Sequence, residues 1–528
     1  MSEFEGAFAR DNEGVLDRRP CFDWFRTIQI HDVTGFWLAE LRRFFSRVDI
    51  DRSYYAPAAI SALRATPAFQ RWLAGSDDEA TLTEVMREDL FGLLLRETVV
   101  GHSQFEPALT RLRTRLLADE AFRAAAPLGF LCDLSLQCFN NEFAYWVDPA
   151  DSARVDTLHL SVVSRLANPD TGSDRLWRAV AVLGMYRPLS GVKGIERLGG
   201  CPSASLERLL HRTVREVREE QRLAAGVPSL SAIVDPTSLQ VRAQYEASPY
   251  PRWFSMDRWE SVPFSDWIAS ELPAHPSRGI PLSPTMLVAG CGTGAELLAL
   301  ALRIRDANVT ALDLSRASLG YARRKAELYG CDAVQFVHGD ILNLQDLDRQ
   351  FDVVYSTGVV HHMRDPAVGV RRLAERLRPG GLLKLGFYSE RARAPIRAAK
   401  AAIGSAGFDS TPDGIRAFRR HVLSLPPEAP LRQLLRWRDF FSLSECRDML
   451  FHVQDHEFRL PAAAALLRDA GLEVLGLSRR LPAGALQAYQ AKFPGDRDAA
   501  DLSRWDQVEE SHPTLFAGMF HVWAKRSG

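Results

Sequence analysis

The sequence has few cysteines, no long apolar run and almost no net charge. Lys+Arg (65) and Asp+Glu (66) leave a net charge of -1, so the chain has no general positive field to hold a nucleic acid. The seven cysteines are scattered without a CxxC pair, which excludes a disulfide framework and a zinc knuckle. No stretch approaches the ~20 apolar residues of a membrane span, and the acidic start MSEFEGAFARDNEG lacks the apolar part of a signal peptide. These absences predict a cytoplasmic protein with no membrane partner and no general nucleic-acid binding.

The first part of the chain shows no alternation of strands and helices. The whole chain has 528 residues, a length that predicts two to four folding units. From about residue 18 to 228, apolar residues recur at three- and four-residue spacings, as in Trp37, Leu41 and Phe44. Prolines and glycines divide this region into segments of ordinary helix length. We therefore expect an all-α N-terminal domain over residues 1–235, with GVPSLSAIVDPT as the linker.

After Ser283 the pattern changes to apolar runs of strand type that alternate with helical segments, which is typical of a doubly wound α/β sheet. The predicted strands are 286–289, 309–312, 334–337, 351–355 and 382–387. An Arg-rich helical stretch then intervenes, and helix and strand resume as AAAALLRDAGLEVLGL and LFAGMFHVW. We expect a second domain over residues 236–528 that carries a helical insertion at about 391–460.

A glycine-rich turn follows the first predicted strand in MLVAGCGTGAELLALAL. Gly290, Gly292 and Gly294 stand between this strand and an apolar helix. Glycine there lets the backbone approach a ligand closely, and the helix N-terminus offers N–H groups. Ala295 also satisfies the relaxed dinucleotide pattern G-x-G-x-x-G/A. The turn therefore fits a pyrophosphate site, a site for a ligand's carboxylate and ribose, or a structural turn alone.

Two acidic residues end the next two strands at the same edge of the sheet. Asp313, in VTALDLS, lies about twenty residues beyond the glycine turn, where a carboxylate can hold ribose hydroxyls. Asp340, in VQFVHGDIL, can accept a hydrogen bond from an adenine amino group, and it also suits the N-cap of a following helix. With their neighbours Leu314 and Ile341, these residues form the predicted nucleoside site.

These motifs together resemble the class I S-adenosylmethionine-dependent methyltransferase family. The matching elements are VAGCGTG, ALDLS, VHGDI, FDVVYSTGVVHHM and LRPGGLLKLGFY, in family order over Met286 to Tyr388. The resemblance implies a seven-stranded sheet with a reversed last hairpin, in which AGLEVLGL supplies strand six and TLFAGMFHVWAK an antiparallel strand seven. It also implies S-adenosyl-L-methionine as the cofactor, held by Gly290, Gly292, Gly294, Asp313 and Asp340.

The rest of the chain resembles a narrower group. QCFNNEFAYW, QYEASPYPRW and DFFSLSECRDMLFHVQDHEF are similar to bacterial methyltransferases that are often fused to tetratricopeptide repeats. That group implies no particular acceptor, and no ~34-residue repeat is evident in this sequence. In QYEASPYPRW, Tyr245, Tyr250, Arg252 and Trp253 are expected to close over the cofactor's methionine part, where the aromatic faces favour a sulfonium cation. Packing between domains is the alternative role.

Methyl transfer requires an aligned acceptor and a group that handles its proton. The loop after strand four, Ser356–His362, is expected to face the methyl group, with Ser356 at the cofactor. His361 and His362 are the candidate bases because imidazole titrates near neutrality, and Tyr388 leaves strand five beside them. The alternative is that HHM is a structural loop. The helical insertion is expected to cover the acceptor as a lid.

His452 and His456, in FHVQDHEF, are expected to share one helix face, but no third ligand accompanies them, so we predict no metal site. The large regions outside the predicted sheet favour methyl transfer to an oxygen or nitrogen of a bulky acceptor, such as a protein, a peptide or a carrier-bound substrate. A small-molecule or natural-product acceptor is the second interpretation. An NAD-dependent oxidoreductase and a non-catalytic, cofactor-sensing interaction protein are the remaining rivals, and the PGG return strand and VHGD argue against the oxidoreductase.

Overall fold

The computed structural model describes residues 35–167, 173–198, 203–272 and 281–527. They divide into two compact units. The helical unit comprises the residues up to Arg218, with Trp253–Asp257 and Phe408–Arg447. The sheet unit comprises Glu219–Arg252, Arg258–Gly407 and the chain from Asp448 onward. No helix in these described ranges is both long enough and apolar enough to cross a membrane.

The helical unit has no strand among its described residues, which confirms the predicted all-α region. The spacing of its apolar residues accounts for this. One short helix carries Leu90, Phe91, Leu94 and Leu95, and all four are fully buried in the unit's core. The helices are α1 (Gly35–Phe45), α2 (Ala56–Arg64), α3 (Pro67–Leu73), α4 (Glu79–Arg87), α5 (Asp89–Glu97), α6 (Phe105–Ala118), α7 (Glu120–Ala125), α8 (Leu128–Asn140), α9 (Pro149–Leu166), α10 (Asp174–Leu183), α11 (Ala204–Leu210) and, later in the chain, α19 (Pro412–Ser424).

Residues 408–447, expected within an insertion of the sheet domain, pack in the helical unit. A buried ion pair explains this placement. The Arg419 Nη2 atom, on α19, donates to Glu106 Oε2, on α6, at 2.6 Å, and Arg419 Nε donates to the carbonyl oxygen of Phe440 at 2.6 Å. Because a buried charge needs such partners, the segment 408–447 and the N-terminal helices share one core.

The sheet unit is built on a seven-stranded sheet with the strand order β3-β2-β1-β4-β5-β7-β6. Strands β1 to β5 are parallel, and β7 lies antiparallel between β5 and β6. This arrangement confirms the predicted doubly wound sheet with a reversed last hairpin. The strands are β1 (Thr285–Ala289), β2 (Asn308–Asp313), β3 (Gln335–His338), β4 (Phe351–Ser356), β5 (Leu377–Phe387), β6 (Leu472–Leu477) and β7 (Phe520–Arg526).

Helices of the sheet unit precede β1 and fill the connections between the strands. Two of the described helices cross the division: α12 (Glu216–Ala225) enters the sheet unit at Glu219, and α20 (Leu443–Phe451) enters it at Asp448. The other helices are α13 (Pro236–Ala247), α14 (Phe264–Glu271), α15 (Ala295–Arg303), α16 (Arg316–Tyr329), α17 (Pro366–Glu375), α18 (Ala394–Ala406), α21 (Leu460–Asp469), α22 (Ala485–Lys492) and α23 (Leu502–Ser511).

Two boundaries differ from those expected from the sequence. The last strand is Phe520–Arg526 rather than 515–523, because residues 513–518 form turns and bends. The sheet unit begins at Glu219 rather than at 236. A Cβ added at Gly320 of α16 would lie 2.3 Å from the carbonyl oxygen of Glu220, so α12 packs directly on α16 through this glycine.

Candidate functional site

A cavity of about 490 Å³ lies in the sheet unit at the carboxyl ends of the strands. Its wall includes Gly290 after β1, Asp313 at the end of β2, Asp340 after β3, Thr357 after β4 and Tyr388 after β5. Open parallel sheets bind ligands at this edge. A single cavity therefore joins the predicted nucleoside residues to the region predicted to hold the acceptor.

The glycine turn has no free backbone N–H group between Gly290 and Gly294. The N–H groups of residues 290 and 291 both donate to the carbonyl oxygen of Leu312. The N–H of residue 292 donates to Asp313 Oδ2, that of residue 293 to the carbonyl oxygen of Tyr250, and that of residue 294 to the carbonyl oxygen of Cys291. A pyrophosphate site needs such groups free to face the ligand. Of the three interpretations left open by the sequence, the site for a ribose and a carboxylate fits these contacts better than a dinucleotide site.

Two glycines of the turn are required for different reasons. Gly292 lines the cavity with φ of +52°, and a Cβ there would lie 2.5 Å from the carbonyl oxygen of Tyr250. Gly294 has φ of +85°, and its Cβ would lie 2.8 Å from the Cβ of Ala322 on α16. Both backbone conformations favour glycine. Gly292 therefore shapes the wall of the site, whereas Gly294 lets α15 begin against α16.

Asp313 is buried, and each of its carboxylate oxygens accepts a backbone hydrogen bond. Gly292 N donates to Oδ2 at 2.7 Å, and Ser315 N donates to Oδ1 at 2.8 Å. Burial raises the pKa of Asp313 to about 6 against the opposing effect of these bonds, so the carboxyl is mainly ionised at pH 7. Because each oxygen keeps a second lone pair, both ribose hydroxyls of a nucleoside have an acceptor here.

Asp340 has the capping role that the sequence left open, and it also lines the cavity. Its Oδ1 accepts from Leu342 N at 2.9 Å and caps the short helix Ile341–Asp346. Burial raises the pKa of this carboxyl, and a hydrogen bond from Ser238 opposes the shift. Leu314 and Ile341 line the cavity beside it. The cap therefore fixes the carboxyl at the place predicted for the adenine.

One face of α13 forms a wall of the cavity, and of its residues only Tyr245 was expected at the site from the sequence. Asp235 caps this helix by accepting from Ser238 N at 2.9 Å. Thr237, Val241 and Tyr245 follow at four-residue spacing and line the cavity. Asp-Pro followed by a helical period signals the helix. The sequence does not show which surface that helical face meets.

Three residues predicted to contact the cofactor have different positions. Tyr250 lines the cavity, and its ring stacks on that of Tyr245 with centroids 6.2 Å apart. Trp253 belongs to the helical unit and is not part of the cavity wall. Ser356 is fully buried and donates to the carbonyl oxygen of Ala289 at 2.9 Å. Thr357, rather than Ser356, lines the cavity, because successive residues of a strand point in opposite directions.

The two histidines of the loop after β4 have different surroundings. His362 lines the cavity, and its Nδ1 donates to the carbonyl oxygen of Gln454 at 2.8 Å, which fixes the proton on Nδ1. His361 is fully buried outside the cavity wall, with its ring centroid 3.9 Å from that of Tyr388. Burial lowers the pKa of His361 well below its usual value and that of His362 to about 4. Both rings are therefore neutral at pH 7.

His362, Asp448 and His452 have possible metal-ligand atoms within 4.8 Å of one another. Their hydrogen bonds do not suit an ion. Gln454 N donates to His452 Nδ1 at 3.1 Å, so the proton of the neutral ring is on Nε2, which then has no lone pair for a metal. The rings of His362 and His452 are stacked 3.6 Å apart at 21°, so their in-plane lone pairs do not converge.

The expectation that His452 and His456 share one helix face is wrong. Helix α20 ends at Phe451. Beyond it, His452 Nε2 lies 3.2 Å from the hydroxyl of Tyr245, whereas His456 Nε2 lies 3.1 Å from the carbonyl oxygen of Met363. Asp455, between the two histidines, pairs with Lys400 at 2.6 Å, and such contacts hold the segment in a non-helical path.

Asp448 was not expected at the site from the sequence. Its Oδ1 accepts from the hydroxyl of Tyr245 at 2.7 Å, and its Oδ2 lies 3.5 Å from the hydroxyl of Tyr388. Only 3% of Asp448 is exposed. Tyr245 and Asp448 are 203 residues apart in the chain, so no local pattern marks the pair.

Parts of this chain are similar in sequence to known proteins. Residues 286–381 match the family model described as a methyltransferase domain. An uncharacterized protein of Synechococcus sp. is 31% identical over 266 residues, which are 47% of this chain and 62% of that protein. The ubiquinone biosynthesis O-methyltransferase of Marinobacter nauticus is 30% identical over 170 residues, 31% of this chain and 60% of that enzyme. The 27-O-demethylrifamycin SV methyltransferase of Amycolatopsis mediterranei is 35% identical over 104 residues, 20% of this chain and 38% of that enzyme.

The chain thus spans less than two thirds of the length of each of these relatives. The segment matched by the family model runs from β1 into β5. It contains the glycine turn, Asp313, Asp340 and the loop with His362. Residues 286–381, set in the sheet order described above, therefore form the core of a methyltransferase domain of the class I, S-adenosylmethionine-dependent family.

Proposed function

We propose that the protein transfers the methyl group of S-adenosylmethionine to an oxygen or nitrogen of a bulky acceptor, such as a protein, a peptide or a carrier-bound substrate. One observation supports this proposal above the others. A single cavity has Asp313 and Asp340 at one end and Tyr245, His362 and Tyr388 at the other. Such a cavity can hold a nucleoside and an acceptor together.

The residues present fit this cofactor. Asp313 keeps lone pairs for two ribose hydroxyls, and Asp340 lines the place expected for the adenine. When bound, S-adenosylmethionine supplies an electrophilic methyl group on a sulfonium centre, and the rings of Tyr245 and Tyr250 offer faces that favour such a cation. The chain's own residues align the acceptor and receive its proton.

The size of the cavity supports an acceptor that inserts only its reacting end. Ligand sites commonly occupy ~300–1,000 Å³. Here about 490 Å³ must accommodate the cofactor as well as the acceptor. Apolar side chains, namely Met363, Val368 and Met519, form part of the wall. This room suits a side chain or an arm of a larger molecule better than a second whole ligand of cofactor size.

A small-molecule or natural-product acceptor is the second candidate. The names of two relatives favour it, since one is a 27-O-demethylrifamycin SV methyltransferase and the other a ubiquinone biosynthesis O-methyltransferase. On this interpretation the whole acceptor enters the cavity.

Transfer of a labelled methyl group tests both candidates. The protein is incubated with methyl-labelled S-adenosylmethionine and a lysate of cells that lack the gene, and the label is followed into precipitable macromolecules and into extractable small molecules. We expect label in the macromolecular fraction. Label confined to small molecules supports the second candidate. Label no higher than that produced by a Gly292→Ala variant, whose added Cβ would obstruct the cofactor site, contradicts both.

A further inference from the structure

The sheet unit contains two Tyr–Asp pairs of the same length in different surroundings. The hydroxyl of Tyr245 donates to Asp448 Oδ1 at 2.7 Å, and the hydroxyl of Tyr489 donates to Asp496 Oδ2 at 2.7 Å. Tyr489 is buried against Trp505, with ring centroids 4.5 Å apart, and it is not part of the cavity wall. Tyr245 lines the cavity. Of the two phenols, Tyr245 is therefore the one that a ligand can reach.

His452 completes the hydrogen bonds of the Tyr245 oxygen within the protein. Because Gln454 N–H occupies its Nδ1, the proton of the His452 ring is on Nε2, 3.2 Å from the Tyr245 oxygen. Tyr245 therefore donates its own proton to Asp448 and accepts one from His452. At 3.2 Å the contact with His452 is at the long end of hydrogen-bond distances. The O–H or N–H of a group in the cavity can therefore take the place of His452 as the donor to the Tyr245 oxygen.

On the basis of the proposed methyl transfer, we propose that Tyr245 and Asp448 form the relay that removes the acceptor's proton. The O–H or N–H of the acceptor donates to Tyr245 Oη. As the bond from the methyl carbon to the acceptor forms and the carbon–sulfur bond breaks, the acceptor's proton passes to Tyr245 Oη and the proton of Tyr245 passes to Asp448 Oδ1. The negative charge lost at Asp448 balances the positive charge lost at sulfur.

The two members of the relay have different roles. Tyr245 touches the acceptor and is the catalytic residue. Asp448 acts through it and is a positioning residue. Burial, reinforced by Asp448, raises the pKa of Tyr245 well above its ordinary value, so the phenol is protonated between turnovers and passes a proton on rather than acting as a tyrosinate.

The titratable and charged groups around the pair leave Asp448 as the proton acceptor. Burial lowers the pKa of His362 to about 4 and that of His452 to about 3, so both rings are neutral at pH 7. Asp455 is already paired with Lys400. The groups beside the pair are Tyr250 after α13, Tyr388 after β5 and His452 after α20. Behind them, His362 stacks on His452, Arg393 lies over the ring of Tyr388, and Asp455 pairs with Arg393 as well as with Lys400.

Two isosteric variants, Asp448→Asn and Tyr245→Phe, test the relay. Each is expected to lower the rate of labelling of the lysate acceptor, at saturating labelled S-adenosylmethionine, by about 10²–10⁴-fold, the usual contribution of general acid–base catalysis. Binding of S-adenosylhomocysteine, measured by calorimetry, is expected to remain at the wild-type value. Asp448→Glu restores part of the rate because it restores a carboxylate.

The second Tyr–Asp pair provides the matched controls. Tyr489→Phe and Asp496→Asn remove a hydrogen bond of the same length from the same unit. Both are expected to lower the melting temperature and to leave the labelling rate and its pH profile unchanged. An equal fall in rate in the control variants shows that general loosening of the unit explains the effect, and it overturns the relay.

The remaining outcomes separate the relay from the proposed function. If wild type and Asp448→Asn label the acceptor equally at every pH, the relay is wrong and the proposed methyl transfer stands. A second outcome is that Asp448→Asn loses affinity for S-adenosylhomocysteine by the same factor as it loses labelling rate. In that case Asp448 shapes the cofactor site and the relay is wrong. If wild type binds S-adenosylhomocysteine but labels nothing, the proposed function fails and the relay fails with it.

Discussion

The two halves of the cavity are held by different kinds of contact. The half proposed to bind the cofactor, called the cofactor half below, contains Gly292, Asp313 and Asp340. There the backbone fixes the polar groups of the wall. The N–H groups of Gly292 and Ser315 hold the carboxylate of Asp313, and Thr293 N donates to the carbonyl oxygen of Tyr250 at 3.2 Å. Strand ends and a glycine turn set these positions, so they depend little on the packing of distant side chains.

The half proposed to receive the acceptor, called the acceptor half below, contains Tyr245, His362 and Tyr388. There side chains position other side chains. Tyr245 donates to Asp448, His452 approaches Tyr245, and His362 stacks on His452. These residues come from α13, from the loop after β4 and from the end of α20. A single substitution can break this network without moving a strand. We therefore expect substitutions to separate cofactor binding from the proposed proton transfer.

The largest effect is expected from Gly292→Ala, which alters the cofactor half through the backbone. The new Cβ would lie 2.5 Å from the carbonyl oxygen of Tyr250, and the left-handed conformation costs a non-glycine residue about 1–2 kcal/mol. We expect no calorimetric binding of S-adenosylhomocysteine. Gly330→Ala is the matched control, because Gly330 has φ of +74° with open space around its Cβ. Equal binding by the two variants would remove the glycine turn from the cofactor site.

A smaller effect on the same half is expected from Asp313→Asn. Loss of a charged acceptor for the ribose hydroxyls is expected to weaken S-adenosylhomocysteine binding by about 1.5–3 kcal/mol. Wild-type binding should also depend on pH. Because the pKa of Asp313 is about 6 and the ribose needs the ionised form, affinity is full above that pH and falls about tenfold per pH unit below it.

Asp313→Asn is the control for this pH dependence. Its side-chain amide does not ionise, so its affinity for S-adenosylhomocysteine should not change with pH. Calorimetric titrations between about pH 5 and 7.5 span the predicted change. A flat wild-type profile would contradict a ribose contact at Asp313.

In the acceptor half, His362→Ala and His361→Ala are expected to have opposite phenotypes. His362 lines the cavity and stacks on His452, so its loss should misplace the neighbouring side chains and lower the labelling rate by up to ~10²-fold with cofactor binding intact. His361 is fully buried outside the wall, so its loss should cost about 2–5 kcal/mol of the free energy of unfolding. A His361→Ala protein of wild-type stability that has lost transfer would reverse these assignments.

The smallest effect is expected from Tyr388→Phe. Its hydroxyl lies 3.5 Å from Asp448 Oδ2, beyond the usual O–H···O distance of about 2.5–3.0 Å. The labelling rate should therefore fall by less than about tenfold, well below the ~10²–10⁴-fold fall expected for Tyr245→Phe. Equal losses in the two variants would make both phenols part of the relay.

The cofactor half could be predicted because its residues follow one another along the chain. The glycine turn, Asp313 and Asp340 each end a predicted strand, and parallel strands bring their carboxyl ends to one edge. The sheet order with its reversed hairpin followed from the family resemblance. The strand bounds for β7 differed because an apolar run in the sequence, 515–519, forms a turn and bends instead of a strand.

The acceptor half could be predicted only in part. His362 and Tyr388 were identified because they follow strands, but the choice between His361 and His362 depends on where each side chain points, which spacing does not determine. The contact of Tyr245 with Asp448 joins residues 203 apart. Similarly, the ion pair of Arg419 with Glu106, which places residues 408–447 in the helical unit, joins residues 313 apart. Such pairings depend on the folded chain.

Calorimetric titration of the full chain with S-adenosylhomocysteine, with NAD as the comparison ligand, tests the central claim most directly. We predict saturable binding of S-adenosylhomocysteine at one site, lost in Gly292→Ala and retained in Asp448→Asn, and no binding of NAD. Binding of NAD without S-adenosylhomocysteine, or S-adenosylhomocysteine binding that Gly292→Ala leaves unchanged, would contradict the assignment of the cavity to a methyl donor.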